Sequence, residues 1–158
     1  MIKKNTGTTF GVAAALTLML AACGDAVGPL PTDVEFAASL GIDLDEMTQS
    51  VSGLYIRDDI VGEGVLAAAG DQLTIAYTGW LADGTQFDMS TSFNVPQLGT
   101  TGLIVGFTEC LTCMQVDGTR TCVLPASLGY ASQGQGAIPP DAVTVFEITV
   151  GSIVRPPG

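Results

Sequence analysis

The chain has 158 residues, 47% of them hydrophobic, no histidine, and a formal net charge of −11. That length and apolar fraction suit one domain with a packed core. So acidic a surface repels polyanions, so no nucleic-acid partner is expected, and the missing histidines exclude Ser-His-Asp or Cys-His catalysis and histidine metal sites.

The first segment, "MIKKNTGTTFGVAAALTLMLAAC", carries Lys3 and Lys4, an apolar run over 10–20, and Ala21-Ala22 before Cys23. A basic start, an apolar stretch too short to span a bilayer comfortably and small residues at the end predict a signal peptide over 1–22. The stretch "LAAC" resembles the lipobox of bacterial lipoproteins. That resemblance makes Cys23 the lipidated N-terminus of an exported chain anchored to a bacterial membrane. An ordinary secretory signal with an incidental cysteine is the alternative. Both lysines leave with the leader, so Arg57, Arg120 and Arg155 are the only cationic side chains left against all sixteen acids.

Residues 23–50 read as a tether containing one short helix, which either docks on the domain or remains a spacer. The stretch "CGDAVGPLP" is rich in Gly and Pro, as flexible linkers are. Thr32 with Glu35 three residues on fits a capping box, and the helix stops at Gly41. The domain proper is expected over 51–154, with 155–158 as a tail.

Within it, "SGLYIRDDIVGEG" reads as a strand, and "DQLTIAYTGWL" alternates and is rich in β-formers. Asp83-Gly84 is a hairpin signal, "TQFDMS" the return strand and "STSFNVPQLGTTG" a loop. In "LIVGFTECLTCM" the apolar positions 103, 104, 107, 111 and 114 fall on one helical face. "TRTCVL" is a short strand, "PASLGYASQGQGAIPP" a long loop and "DAVTVFEITVGSI" a closing strand. The result is an α+β fold, an antiparallel sheet with a central helix to cover one face.

Cys110, Cys113 and Cys122 offer three thiols where a structural zinc site takes four ligands, so no metal site is expected. In an exported protein they point to a disulfide. Cys122 shares parity with Leu124, so both face the helix; Cys113 is the preferred partner of Cys122, with Cys110 the alternative. "TTGLIVGF" lacks a phosphate-loop lysine, and no cofactor is expected. What remains is an aromatic, apolar site with one or two polar groups, concentrated in "YTGWLADGTQFDMS". With a two-residue turn at 83–84, Gly79 faces Asp88, and Asp88 shares a face with Tyr77. The same count puts Phe87 on the opposite face beside Trp80, so both reach one pocket only through a bulge.

The segments "YTGWLADGTQFDMS", "GLIVGF" and "MQVDGTRTCVLPASLGYASQGQGAIPPDAVTVFEITV" together resemble the FKBP-type peptidyl-prolyl isomerases from about Ser52 to Ile153. The resemblance implies a twisted antiparallel sheet wrapped around one short helix, with a pocket for the proline ring of an Xaa-Pro peptide. It implies Tyr77, Asp88, the backbone N–H of Ile104, and Tyr130 as the groups acting on the rotating amide. Phe87, Leu103, Phe107, Ile138 and Phe146 would bind substrate. Xaa-Pro segments of exported proteins would be the substrates, and macrolide FKBP ligands would fit the same pocket. The other reading is a proline-peptide-binding chaperone module with little turnover. Two departures stand out: Phe107 occupies the pocket-floor position usually held by tryptophan, and Phe93 matches the family's loop aromatic only with a shift. No acid or base is needed. Twisting an amide costs roughly 18–20 kcal/mol of lost resonance, and a pocket that binds the twisted, less charge-separated form more tightly lowers that barrier.

Overall fold

The computed structural model describes residues 28–100 and 102–157; the expected leader over 1–22 and the lipid-bearing Cys23 lie outside them. The fold is one six-stranded sheet, in spatial order β1-β2-β5-β6-β3-β4, with every pair antiparallel. The strands are β1 (Thr48–Gln49), β2 (Tyr55–Ile60), β3 (Gln72–Leu81), β4 (Gln86–Val95), β5 (Thr119–Leu124) and β6 (Thr144–Val154). Among the described residues a single α-helix, α1 (Val105–Leu111), lies across one face.

Period-2 alternation places Leu73 and Ile75 of β3, Cys122 and Leu124 of β5, and Phe146, Ile148 and Val150 of β6 on the inner face. Phe107 and Leu111 of α1 close the core over them, spaced by one helical turn. The helix approaches so closely that a Cβ on Gly106 would sit 2.6 Å from Leu124 Cδ2 and 3.0 Å from Leu128 Cβ. Its C-terminal carbonyls are capped from the sheet: the buried Arg120 guanidinium donates to the Cys110 carbonyl at 2.8 Å and to that of Thr112 at 3.0 Å. Arg120 Nε also donates to Asp58 Oδ1 at 2.6 Å, tying β5 to β2.

Five expectations change. The helix expected after Thr32 does not form. Single 3₁₀ turns at Pro31–Asp33, Ala38–Leu40 and Leu44–Glu46 replace it, separated by extended residues. Asp33 rather than Thr32 caps the first turn, accepting the Leu30 N–H at 3.0 Å. So short a helix has little stability of its own, and burial wins. Val34, Phe36, Leu40, Ile42 and Leu44 are laid on the outer sheet face against Tyr55, Val123, Val143, Val145 and Trp80. Gly41 still ends a turn, in the left-handed region at φ 57°.

The segment expected as a tether is therefore packed from Pro31 onward, and β1 within it pairs with β2. Arg155, expected in a tail, is also engaged: it holds the buried Asp71 through two bonds of 2.9 and 2.7 Å. The loop expected after Met89 is strand, since β4 continues to Val95.

The disulfide joins Cys110, not Cys113, to Cys122. The helix ends at Leu111, before the apolar period does. Cys113 falls beyond it in the left-handed region, φ 64°, and its N–H pairs with the Ala67 carbonyl at 2.9 Å. Its thiol is thereby exposed, while Cys110, one turn beyond Phe107, faces Cys122 in the core.

Candidate active site

The β3–β4 hairpin brings Tyr77 and Asp88 together by two offsetting departures from the simple count. The turn is one residue longer than expected, since Leu81 pairs with Thr85 across 82–84. Trp80 then pairs with Gln86, the register shifts, and Gly79 pairs with Asp88. The extra residue is Phe87, in the bulge that a shared pocket required. A second shift between Ile75 and Tyr77 brings Phe93 onto the inner side.

Phe87 reaches the core because residue 79 is glycine. A Cβ there would lie 2.7 Å from Phe87 Cζ and 2.8 Å from Phe146 Cε1. Trp80 goes to the other face, under the N-terminal segment. Gly79 escaped sequence reasoning as a site residue, although a glycine inside a strand is itself a signal of close approach.

Between the hairpin, α1 and the 130–138 loop lies an open cavity of about 260 Å³. Phe107, only 4% exposed, lines it, and its ring meets Phe146 and Tyr77 edge-on, with centroids 5.1 and 5.4 Å apart. Phe93 stands edge-on to Tyr77 at 5.7 Å. Leu103, Ile104, Tyr130 and Gln135 line the mouth with Asp88. Phe87 and Ile138 line an adjoining chamber of about 190 Å³, which shares Asp88, Tyr130 and Gln135 with the first. All nine residues assigned to the site from sequence thus fall around these two spaces. Gln135 borders both, yet nothing in the sequence marked it.

Polar groups are few and defined. The Tyr77 hydroxyl donates to Asp88 Oδ2 at 2.8 Å, and Asp88 Oδ1 accepts the Met89 N–H at 2.8 Å. Burial, helped by the hydrogen bond to Asp88 and its negative charge, pushes the Tyr77 phenol up to about 12. Burial and the same carboxylate also raise Tyr130. Both phenols therefore stay protonated donors at neutral pH. Among the described residues no group of three His, Cys, Asp or Glu side chains could hold a metal ion. The arrangement is a largely apolar aromatic basin with hydrogen-bonding groups at its rim.

A six-stranded antiparallel sheet around one short helix, with an aromatic basin between them, defines a fold that solved isomerases share. A Pseudomonas syringae pv. tomato peptidyl-prolyl cis-trans isomerase superposes with a TM-score of 0.63 at 27% identity, covering 70% of this chain and 82% of that one. Residues 64–151 match the family described as FKBP-type peptidyl-prolyl cis-trans isomerase. An FK506-binding protein of Neisseria meningitidis serogroup B is 38% identical over 102 residues, 62% of this chain and 94% of that protein. The FKBP-type 22 kDa peptidyl-prolyl cis-trans isomerase of Escherichia coli K12 is 39% identical over 105 residues, 65% of this chain and 51% of that protein. The chain belongs to the FKBP-type peptidyl-prolyl cis-trans isomerases, enzymes whose substrates are proline-containing peptides.

Proposed function

We propose that the larger cavity holds the proline ring of an Xaa-Pro segment on Phe107, between Tyr77, Phe93 and Phe146, while the amide rotates. The observation that carries this reading is the Tyr77–Asp88 hydrogen bond at the rim of a basin walled by Phe93, Leu103, Ile104, Phe107 and Phe146. The planar amide is the more charge-separated form, so an apolar wall penalises it relative to the twisted one. Binding the twisted form better is what accelerates rotation. In this reading Tyr130 and the Ile104 N–H donate to substrate carbonyls, while the Tyr77 hydroxyl gives its one proton to Asp88 and fixes that carboxylate at the rim. Phe87, Leu103 and Ile138 complete the apolar walls. Macrolides that fill FKBP pockets would compete for the same basin. A protein whose slow refolding is limited by Xaa-Pro isomerisation tests the reading. Micromolar enzyme should shorten the slow phase, and unchanged kinetics with a well-folded enzyme would overturn it.

The setting is proposed as the outside of a bacterial membrane, with the folding of exported proteins as the task. The leader-like segment and "LAAC" support export and a lipid on Cys23, and the Cys110–Cys122 disulfide fits an oxidising compartment. The packed body starts at Pro31, so the chain from Cys23 to there spans at most about 30 Å; this would hold the isomerase close to the membrane surface. Incorporation of labelled fatty acid that is lost in Cys23→Ser tests the anchor.

A further inference from the structure

The smaller chamber adjoins the proline basin and contains the one carboxylate of the site. Asp88 takes two donors, the Tyr77 hydroxyl and the Met89 N–H, and both are neutral. No described cation is available to balance it. Past the leader the only cationic side chains are three arginines, and each already holds another aspartate: Arg57 holds Asp59, Arg120 holds Asp58, and Arg155 holds Asp71. Beside this carboxylate stand two rings, Phe87 and Tyr130, with centroids 6.2 Å apart and planes at 83°, so that the two differ in whether face or edge is offered. The far wall is a rigid turn. Gln135 and Ile138 exchange both backbone bonds, at 2.9 and 2.8 Å. Gly134 before them lies at φ 59°, where a Cβ would collide with the Ile138 carbonyl. Gln135, Gly136 and Ala137 are exposed, so the chamber opens to water.

We propose that this chamber receives the cationic side chain of a residue flanking the proline, so that the enzyme selects Lys- or Arg-flanked prolines in its client chains. The inference rests on the larger cavity holding the proline ring. The stem of a lysine or arginine fits along Phe87 and Ile138. Its charge reaches Asp88 and an aromatic face while its outer side remains hydrated, which avoids the cost of burying an ion. A glutamate in the same place meets an unbalanced carboxylate, and so acidic a protein repels it on approach.

The test uses the full chain and peptides of one length carrying Lys, Leu or Glu immediately before or after the proline. A control peptide places the lysine six residues away. Isomerisation is read by NMR exchange and binding by titration. At low salt a flanking lysine should exceed glutamate by about tenfold and leucine by about two- to threefold in kcat/KM. The distant lysine should give no such gain, and about 1 M salt should remove most of the preference. Gln135→Lys, which puts a competing cation on the shared wall, should reverse the lysine-over-glutamate order. Leucine matching or exceeding lysine at both flanks overturns the proposal, as does an equal gain from the distant lysine or a preference indifferent to salt. If no peptide is turned over, the reading of the larger cavity fails. Relative affinities of the same peptides then decide the flanking preference on their own.

Discussion

The Phe87 ring lies directly over Gly79: a Cβ at residue 79 would come within 2.7 Å of its Cζ. This contact, with the bulge at Phe87, lets two neighbours in one strand both serve the site. Gly79→Ala should push Phe87 and Phe146 apart and cost about 1–3 kcal/mol of stability. Isomerase activity should fall by more than the unfolded fraction explains. Urea unfolding and NMR-exchange rates on the same sample check both parts, and wild-type activity in Gly79→Ala would show that the ring positions do not matter.

Phe107 lines the basin and is part of the core at once, as a residue at the basin's floor would be. Phe107→Ala should cost roughly 3–5 kcal/mol and remove most turnover. Phe107→Trp should keep or raise turnover, unless overpacking costs about 1–3 kcal/mol. Trp80 packs on the opposite face of the sheet, so ligand should leave wild-type emission nearly unchanged and shift it in Phe107→Trp. Emission that stays fixed in a variant with demonstrated peptide binding would remove Phe107 from the floor.

The Tyr77 phenol, raised from 10.0 to about 12 by burial and by Asp88, should ionise in a late, strongly alkaline transition of an absorbance titration. Its folded value exceeds its unfolded value, so it contributes stability that is complete below about pH 10 and is lost as pH rises towards 12. Asp88→Asn should bring the late transition down, because the charge and carboxylate hydrogen bond of Asp88 are lost and burial, with Tyr130, sustains what remains of the shift. Tyr77→Phe should delete that transition and lower kcat/KM.

At the other end of the scale stands Asp71, held at about 2 against an ordinary 3.8 by its hydrogen bond to Arg155, with a further bond from the Ala68 N–H. A depressed carboxylate contributes stability above its unfolded value, and this is lost as pH falls from about 4 towards 2. Arg155→Gln should lower stability at neutral pH and flatten that acid loss. A chain ending at Val154 should behave likewise. Denaturant midpoints at pH 7, 4 and 3 make the comparison, and parallel acid profiles for wild type and variant would exclude Arg155 as the cause.

Cys110 and Cys122 are 12 residues apart in sequence, so their bond should contribute on the order of 3 kcal/mol by restricting the unfolded chain. Reduction or Cys122→Ser should remove about that much. Cys113→Ser should cost little and should abolish thiol labelling of the oxidised domain. Peptide mapping that finds Cys113 bridged would contradict the pairing.

Patterns confined to a few neighbouring residues could be read without coordinates. The segments "DQLTIAYTGWL" and "DAVTVFEITV" became β3 and β6, and positions 107 and 111 of the expected apolar stripe became the buried face of α1, while Leu103 and Ile104 fall before its first residue and Met114 beyond its last. Both rest on backbone periods that each segment carries by itself. Strand register alone put Asp88 on the face of Tyr77; that Tyr130 and Phe146 join them around one space was legible only through the resemblance of several segments to the FKBP-type isomerases. Non-local packing decided the rest. The 30–50 segment abandoned a marginal helix because the outer sheet face offered more apolar burial. Cys110 won over Cys113 because the helix ends at Leu111, where the following chain turns away to pair with Ala67. Phe87 reached the site because Gly79, eight residues earlier, leaves room for its ring. Each outcome compares energies between parts of the chain that meet only after folding, and tertiary contact alone could settle it.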